Sequence, residues 1–337
     1  MPESCDATNV LDVAVLGAGM SGLMAARRLA PAGWRVMVFD KGRVPGGRMA
    51  TRRVGDAMFD YGAQYFTVRE ASFRALLEPW LQEGLARSWS EGFATSDGIF
   101  KADGEARYIG VQGISTIPRR LAEGLPVQHG TTVESCSHLD GRWVIRFKER
   151  PPVMASILLL TAPVPQSLAL LAMGRVVLEA AAAVALTRIQ YAQCLASLVR
   201  LVGPSRIPEP GGLWLDGEPV GWVADNTQKG ISEARLGGSV TIHAGPEFSR
   251  THWDEDPETV GRIITDSVQS WLGSEVTSVR IHRWRYSVPT VQHPARYIMA
   301  RSPGPVVFAG DAFGGGRVED AALSGDAAGA AILAEYS

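Results

Sequence analysis

The segment VAVLGAGMSG, close to the start of the chain, constrains the fold more than any other stretch. A short apolar run ends at Gly17, and Gly17, Gly19 and Gly22 have the spacing G-x-G-x-x-G before a segment with helical apolar periodicity. In such a unit the first glycine allows a tight turn, the second lets the backbone approach a pyrophosphate, and the third lets helix and strand pack closely. A helix beginning near Ser21 would direct its N–H groups and the positive end of its dipole at the phosphates. The pattern therefore predicts a βαβ unit that binds a dinucleotide.

The residues after the second strand bear on which dinucleotide is bound. Asp40 ends the run RVMVFD, where a carboxylate accepts hydrogen bonds from the adenosine ribose hydroxyls and disfavours a 2′-phosphate, although Lys41 or Arg43 would soften that repulsion. The next segment, PGGRMATRR, is not needed for NAD, whereas the longer FAD requires further donors and a second glycine turn. Arg48 suits the phosphate role because its guanidinium is a fixed fork of donors. A solvated basic loop over 48–53 is the alternative interpretation.

Composition narrows the class of protein. A chain of 337 residues exceeds the length at which single cores usually split, so we expect two domains. A net charge of −2 provides no basic field for nucleic acid or an anionic membrane, and no apolar run reaches the ~18 residues of a membrane span. The start lacks a signal-peptide pattern, and Cys5, Cys136 and Cys194 form neither a disulfide framework nor a zinc motif. We expect a cytoplasmic protein without a metal site and without nucleic-acid or membrane partners.

The order of the predicted elements indicates an α/β fold with an inserted α+β domain. A helix is expected over 71–87 with an interruption at Pro79, a hairpin around the Asp-Gly turn at 140–141, and a buried strand over 155–163. The chain ends with a strand, a glycine-rich loop and a helix of small residues. The expected ranges are 1–70, 108–165 and 295–337 for the nucleotide-binding domain, and 71–107 and 166–294 for the substrate-binding domain.

Five later segments extend the N-terminal pattern: FDYGAQYFTVR (59–69), LLTAPVPQSLALL (159–171), IHAGPEFSRTHWDED (242–256), HRWRYSVP (282–289) and FAGDAFGGGRVEDAALSG (308–325). In this order and spacing they resemble the bacterial renalase-like branch of the FAD-dependent amine oxidase superfamily, across nearly the whole chain. The first and last of the five are the specific ones. The resemblance implies a Rossmann-type FAD-binding domain of the glutathione-reductase and amine-oxidase kind.

The resemblance also implies positions that contact FAD. It assigns the pyrophosphate to Gly17, Gly19, Ser21, Gly22 and Arg48, the adenosine end to Asp40, Lys41 and the backbone of Val133, the ribityl or phosphate oxygens to Asp311, and the isoalloxazine ring to Gly62, Ala63, Gln64, Tyr65 and Phe66.

The last helix has a physical role of its own in this interpretation. If it begins near Val318 and Glu319, its N–H groups point at the flavin N1–C2=O edge, where negative charge accumulates on reduction. A flexible glycine loop followed by an ordinary packed helix is the alternative. Other branches of the superfamily that this chain resembles often tether the flavin through a cysteine near the C-terminus. No cysteine follows Cys194 here, so the resemblance implies non-covalent FAD.

The resemblance implies an oxidoreductase of NAD(P) metabolism. The substrate would be a dihydronicotinamide nucleotide, a 2- or 6-dihydro isomer of NAD(P), which is oxidised to β-NAD(P)+ while dioxygen is reduced to hydrogen peroxide. The candidate catalytic residues are Gln64, His243, Trp284 and Tyr286, with Trp222, Asn226 and Arg250 as further candidates for the pocket. For each of these, ordinary core packing or hydrogen bonding is the alternative. Two other functions stay open: a renalase-like flavin oxidase acting on a small amine or another biosynthetic molecule, and a non-catalytic flavin-binding protein.

Overall fold

The computed structural model describes residues 10–233, 235 and 237–336, so Cys5 lies outside the described residues. The strands are β1 (Leu11–Leu16), β2 (Val36–Phe39), β3 (Thr51–Val54), β4 (Ala57–Asp60), β5 (Ala86–Ala94), β6 (Phe100–Gly110), β7 (Val127–Gln128), β8 (Val133–Leu139), β9 (Arg142–Phe147), β10 (Val153–Leu160), β11 (Gln190–Leu201), β12 (Gly212–Trp214), β13 (Val220–Asp225), β14 (Ser239–Ala244), β15 (Val276–Val291), β16 (Ile298–Ala300) and β17 (Val306–Phe308). The helices are α1 (Met20–Leu29), α2 (Ala71–Gln82), α3 (Thr116–Ala122), α4 (Val164–Met173), α5 (Ala180–Thr187), α6 (Pro246–Thr251), α7 (Pro257–Ser267), α8 (Gln269–Leu272) and α9 (Val318–Tyr336).

The chain forms two compact units, each assembled from separated segments. Unit 1 comprises Met1–Gly47, Pro118–Gln190 and Pro289–Ser337, and unit 2 comprises Arg48–Ile117 and Tyr191–Val288. These ranges differ from the expected domain ranges in four stretches: 48–70 and 108–117 belong to unit 2, and 166–190 and 289–294 belong to unit 1.

Packing explains the two largest of these differences. The β3–β4 hairpin contributes Val54 and Phe59 to an apolar cluster that contains Leu198 of β11, so this hairpin is part of the core of unit 2. At the end of α4, a Cβ on Gly174 would lie 1.8 Å from the carbonyl oxygen of Cys136 in β8. This close approach fixes α4 on the sheet of unit 1.

A largely parallel sheet forms the framework of unit 1. Its order is β16-β17-β10-β1-β2-β7, with β9 and β8 continuing from β10. β1 pairs in parallel with both β10 and β2. The chain leaves β1 towards β2 on one side while β10 lies on the other, so the carboxyl end of β1 is a topological switch point, which is where α/β sheets bind ligands. The Rossmann-type arrangement expected from the glycine triplet is therefore present.

Helices α1 and α9 pack against each other at very short range in unit 1. A Cβ on Gly325 would lie 2.0 Å from the carbonyl oxygen of Ser21, and a Cβ on Gly329 would lie 2.9 Å from the Cβ of Arg28. Only glycine permits such a close approach of two backbones. The small-residue composition of α9 is thus explained by its contact with α1.

Unit 2 is built on a sheet with the order β15-β11-β14-β13-β12-β5-β6. Its core packs apolar side chains of β11 and β14 against Val260 and Ile264 of α7, all of them fully buried. β15 lies at one edge of this sheet, and α7 covers it where Gly261 approaches the side chain of Val279.

Two local expectations have different outcomes. The hairpin is confirmed: Asp140 and Gly141 both have positive φ, at 50° and 75°, between the paired strands β8 and β9. The interruption at Pro79 is wrong, because α2 continues through Pro79 to Gln82. None of the described helices combines the length and apolar character needed to cross a bilayer.

Candidate functional site

The three glycines of the first motif have three different surroundings. Gly17 has φ of 117° and donates its N–H to the carbonyl of Phe39 at 2.8 Å. A Cβ on Gly22 would lie 1.9 Å from the carbonyl oxygen of Gly17, so the turn and helix touch there. At Gly19, by contrast, a Cβ would meet no atom within 4 Å. Two glycines are therefore required by packing, and the third leaves the backbone open to a ligand.

A second glycine pair packs against this turn. Gly46 donates its N–H to the carbonyl of Ala18 at 2.8 Å, and a Cβ on Gly47 would lie 3.5 Å from the Cα of Gly19. Both residues have positive φ, 130° and 56°, a conformation that favours glycine. The PGG segment is thus a second turn laid beside the first.

Asp40 ties the end of β2 to the first turn. Its Oδ2 accepts the N–H of Ala18 at 2.6 Å and its Oδ1 accepts the N–H of Gly42 at 2.6 Å. A carboxylate has about four acceptor positions, so these bonds leave capacity for hydroxyl donors. Lys41, the next residue, is exposed. The carbonyl of Asp40 accepts the N–H of Thr131, and Val133, two residues later, begins β8.

Helix α1 carries a buried hydroxyl without a protein partner. Ser21 is only 4% exposed, and its Oγ forms no hydrogen bond with any described residue. A buried polar atom without a partner costs free energy, so such an atom marks a place where a ligand or water binds. Asp311, which follows β17, is also buried, and Gly310 before it donates its N–H to Ser324 Oγ at 2.8 Å.

Helix α9 begins at Val318, where the sequence predicts it, but its first turn is more acidic than expected. Asp320 Oδ2 accepts the N–H groups of Gly316 and Arg317 at 3.0 and 3.1 Å, and its Oδ1 pairs with Arg296 at 2.9 Å. Glu319, 1% exposed, is buried next to it. The carboxylate of Asp320 therefore caps the N-terminus of α9 and partly neutralises the positive end of its dipole.

In unit 2, Arg48 and Gly62 hold two loops together. The guanidinium of Arg48 donates to the carbonyls of Tyr286 and Ser287 at 3.3 and 3.1 Å. The carbonyl of Arg48 accepts the N–H of Ala63 at 2.9 Å, and a Cβ on Gly62 would lie 1.9 Å from that oxygen. Arg48 thus has a structural role in unit 2, and its expected contact with phosphate stays a prediction.

The side-chain amide of Gln64 uses its NH₂ group in hydrogen bonds, whereas its oxygen accepts none from the described residues. Its Nε2 donates to the carbonyls of Asp60 and Gly62 at 2.6 and 3.2 Å. The residue is 6% exposed, and Oε1 has no hydrogen-bond partner among the described residues. Because two carbonyls select the NH₂ end, Gln64 presents a buried acceptor in a fixed direction.

Behind Gln64 lies a buried ion pair that sequence patterns did not indicate. Lys229 Nζ is 2.7 Å from Asp60 Oδ2 and donates to the carbonyl of Gln64 at 2.5 Å, and the side chains of the pair are 0% exposed. Asp60 Oδ1 also accepts the hydroxyl of Thr51 and the N–H of Ile114. Burial lowers the pKa of Lys229, and the charge of Asp60 opposes that shift. Since Lys229 falls in the polar run DNTQKG, its sequence context is that of a surface turn.

Two candidate catalytic residues bind the same carbonyl. His243 Nε2 lies 3.1 Å from the carbonyl oxygen of Tyr61, and Trp284 Nε1 donates to that oxygen at 2.8 Å. Although His243 retains some accessible area, burial of its ring lowers its pKa to about 4. The Trp284 ring stacks on Tyr61 with centroids 5.3 Å apart, and Tyr286 makes an edge contact with Tyr191. The structure thus brings His243 and Trp284 together, but around the backbone of the chain.

The remaining candidates in unit 2 have partners within the protein. Tyr65 and Trp222 pack together with Phe93, and burial raises the pKa of Tyr65. Phe66 stacks on Tyr108.

The two expected polar contacts of the pocket are also engaged. Asn226 is fully buried and bonds with Asp60, Ser239 and Thr241, while the exposed Arg250 pairs with Glu247. These residues are explained by packing and hydrogen bonding alone.

Comparison with protein families gives this geometry its context. The family model of flavin-containing amine oxidoreductases matches residues 76–333, more than half of the chain, and a model of NAD(P)-binding Rossmann-like domains matches residues 15–79. The chain belongs to the flavin-containing amine oxidoreductases. The expected superfamily, its FAD cofactor and its oxidoreductase class are thereby confirmed.

Curated relatives of this amine oxidoreductase match over a short segment. A neurosporene-forming phytoene desaturase from Cereibacter sphaeroides is 41% identical over 71 residues, which is 21% of this chain and 14% of the desaturase. The lysine-specific histone demethylase 1 homolog 1 of Arabidopsis thaliana is 44% identical over 70 residues, 19% of this chain and 8% of that protein. The chain thus aligns with only a small part of each relative.

Solved structures support the fold over the whole amine oxidoreductase chain. A double mutant of putrescine oxidase matches with a TM-score of 0.71 at 17% identity, covering 97% of this chain and 100% of the other. A putative protoporphyrinogen oxidase from Exiguobacterium sp. matches with a TM-score of 0.72 at 16% identity, covering 96% and 98%. Cyclohexylamine oxidase from Brevibacterium oxydans matches with a TM-score of 0.72 at 15% identity, covering 97% and 99%. The expected fold class is confirmed by these likenesses.

The residues of this chain fit an FAD molecule. In unit 1, the open backbone at Gly19 and the unpartnered Oγ of Ser21 both lie at the carboxyl end of β1. In unit 2, Gln64 presents a buried acceptor without a partner. These are the kinds of groups that a polar cofactor satisfies when it binds.

Proposed function

We propose that this amine oxidoreductase is a cytoplasmic oxidase of the renalase type. In this proposal it takes a hydride from 2- or 6-dihydro isomers of NAD(P) and releases β-NAD(P)+. The observation that carries the proposal is the shared binding of His243 and Trp284 to the carbonyl of Tyr61. The Trp284 indole has no basic nitrogen, and burial lowers the pKa of His243 to about 4, so its ring is a weak base. This suits a substrate that needs no general base. An electron-rich dihydropyridine ring loses hydride directly because its product is an aromatic cation.

The electron balance of this reaction is simple. One ring C–H bond breaks and its electron pair leaves with the hydrogen as hydride, so the dihydronicotinamide becomes a pyridinium cation. When bound, FAD would supply the two-electron acceptor, and dioxygen would then take up the electron pair with the proton of the hydride and one proton from water to give hydrogen peroxide. The chain has to hold the substrate ring in place and exclude water. Burial lowers the pKa of both His243 and His282 to about 4, so both rings are neutral near neutral pH.

The arrangement of aromatic residues supports a dihydronicotinamide over an amine. An aromatic cage for an ammonium group needs two rings with space between them. The rings of Tyr61 and Trp284 instead stack on each other at 5.3 Å with an angle of 20°, which leaves no slot. Tyr65, Trp89, Phe93 and Trp222 likewise pack among themselves. An amine substrate would therefore require a different pair of aromatic rings to bind its ammonium group.

In this proposal the cofactor is bound without a covalent link. Gly17, Gly19, Ser21 and Gly22 would hold the pyrophosphate, and Asp40 with Lys41 and Val133 the adenosine end. Asp311, Val318 and Glu319, together with Arg48 and the segment Gly62–Phe66, are proposed to contact the remainder of FAD. Ser21 and Gln64 support this assignment best, since each has a buried polar atom with no partner in the part of the chain that the structure describes.

The decisive experiment is anaerobic reduction of the bound flavin by a panel of dihydronicotinamides and amines. We expect 2- or 6-dihydro isomers of NAD(P) to bleach the flavin absorbance and to yield peroxide when air is admitted. Bleaching by amines, with none by dihydronicotinamides, would replace the proposal with an amine oxidase. A yellow protein that no compound of either class reduces would indicate a flavin-binding protein without turnover.

A further inference from the structure

A groove of about 780 Å³ in unit 2 lies between α7 and the edge strand β15. Three arginines line it, Arg52 of β3, Arg262 of α7 and Arg280 of β15, together with one acidic residue, Glu258. Ser278 is also part of the lining, whereas the Thr265 hydroxyl bonds to carbonyls within α7. The volume lies within the range of small-molecule sites, and the charge favours an anion.

The guanidinium groups of two of these arginines have no partner among the described residues. All three arginines are exposed, and the guanidinium groups of Arg262 and Arg280 form no hydrogen bond or ion pair within the described part of the chain. Edge strands often carry charges that prevent pairing with other chains, which would account for Arg280 alone. Here the positive charge comes from three separate elements and converges on one groove. Such convergence is typical of phosphate recognition, for which arginine is the preferred residue.

The groove adjoins the aromatic residues of the proposed site in unit 2. The guanidinium of Arg52 lies over the ring of Tyr61 at 4.7 Å, and its charge contributes to the low pKa of His282. Successive side chains of a strand point to opposite faces, so Arg280, His282 and Trp284 lie on the same face of β15. Arg280 and Trp284 are four residues apart, which is ~13 Å along the strand. Trp284 in turn donates to the carbonyl of Tyr61. A single ligand the size of a nucleotide can extend from the arginines to these rings.

From this arrangement we infer that Arg52, Arg262 and Arg280 bind the phosphate groups of the substrate. The inference rests on the proposed function and deepens it by naming the residues that would distinguish dihydronicotinamide nucleotides from the bare ring or its riboside. Phosphate binding in this groove determines KM, whereas hydride transfer depends on the residues around Tyr61.

The test compares three substrates on the flavin-loaded enzyme: a dihydronicotinamide riboside, the mononucleotide and the dinucleotide. Two proteins are compared with the wild type, the double variant Arg262→Gln/Arg280→Gln and the control Arg74→Gln, which removes an exposed charge on α2. In the wild type we expect the phosphorylated substrates to reduce the flavin at concentrations at least tenfold lower than the riboside does. The double variant should lose this preference, with KM raised about tenfold or more and the riboside reaction unchanged. Added salt should raise KM of the wild type for the nucleotides.

Other results overturn the inference or the function separately. If the nucleotides reduce the flavin but the double variant keeps the wild-type preference for phosphate, the groove is not the phosphate site, and the proposed function stands. If no dihydronicotinamide reduces the flavin, the proposed function fails. The groove is then judged by titration calorimetry with inorganic pyrophosphate. If the wild type binds pyrophosphate and the double variant does not, the groove is an anion site. If neither protein binds it, or both bind it equally, the anion site is rejected.

Discussion

The ammonium group of Lys229 lies 2.7 Å from Asp60 Oδ2 in the interior of unit 2, and neither side chain has measurable exposure. The same ammonium group binds the carbonyl of Gln64, and the carbonyl of Asp60 accepts the amide of Gln64. The ion pair thus holds in place the residue that presents the unused acceptor. Four predictions test this arrangement and the cofactor-binding turn.

Removing the charge of Lys229 should destabilise the protein strongly. Lys229→Met leaves the Asp60 carboxylate buried without a cation, for which we expect a loss of about 3–5 kcal/mol in the free energy of unfolding. Lys229→Met/Asp60→Asn should recover part of that loss, because the uncompensated charge is gone. Arg301→Met, which breaks an exposed pair with Glu335, is the control and should cost far less. Urea unfolding in excess FAD measures all three. Equal losses for the buried and exposed pairs would contradict the prediction.

The protein should become less stable as the pH is lowered from 6.5 towards 4, because His243 is buried in its neutral form. The pKa of His243 is about 4, against 6.5 for an ordinary histidine, so between these values the unfolded chain binds a proton that the folded chain does not. The stabilisation is therefore complete above pH 6.5 and is lost as the pH falls towards 4. His243→Asn should remove a part of this dependence, on the order of 2 kcal/mol between neutral pH and pH 4. His129 is exposed, so His129→Asn is the matched control. If the stability of both variants depends on pH in the same way, His243 does not have this role.

Two glycines of the first motif should respond differently to alanine. At Gly22 a methyl group meets the backbone of Gly17 at 1.9 Å, so Gly22→Ala should disrupt folding itself. At Gly19 an added methyl group would meet no atom of the described residues within 4 Å, so Gly19→Ala should keep the melting temperature of the flavin-free protein nearly unchanged but weaken FAD binding about tenfold or more. Melting curves and titration of the flavin-free protein with FAD separate the two effects. A Gly19→Ala protein that binds FAD normally would show that the cofactor does not approach this backbone.

The fixed acceptor of Gln64 should affect the reduction potential of the flavin. If Oε1 faces the ring, it bonds an N–H that is present only after reduction, and it therefore stabilises the reduced form. Gln64→Leu should lower the midpoint potential by about 30 mV, the equivalent of one such hydrogen bond for two electrons. Spectroelectrochemistry gives the potential independently of turnover. Phe66→Leu, a change in the same segment that removes no polar group, should leave it close to the wild-type value, and a shift of the same size there would indicate a general loosening.

The elements fixed by local rules were predictable from the sequence. The glycine spacing, the apolar run before it and Asp40 predict β1, α1 and β2, and all three are present. The Asp-Gly pair predicts the hairpin at 140–141, and the glycine-rich loop predicts the start of α9 at Val318. In each case a few neighbouring residues determine the backbone.

Features that depend on residues far apart in sequence were not predictable. Asp60 and Lys229 are separated by 169 positions, and nothing near Lys229 distinguishes it from a solvated lysine. His243 and Trp284 were candidates for contact with substrate because of their type, yet both are bonded to a backbone carbonyl. The cap of α9 likewise depends on tertiary structure, because Asp320 pairs with Arg296, which lies 24 positions before it. Tertiary partners decide these roles.

The interleaved order of the sheet in unit 1 has a consequence for biosynthesis. β1 is made early, whereas its neighbour β10 and the next strand β17 are made much later. At ~5–20 residues per second the ribosome needs on the order of tens of seconds to deliver them, and throughout that time the nascent β1 edge is unpaired. Chaperone supply and translation speed should therefore control the yield of native protein more strongly than the stability of the finished fold does.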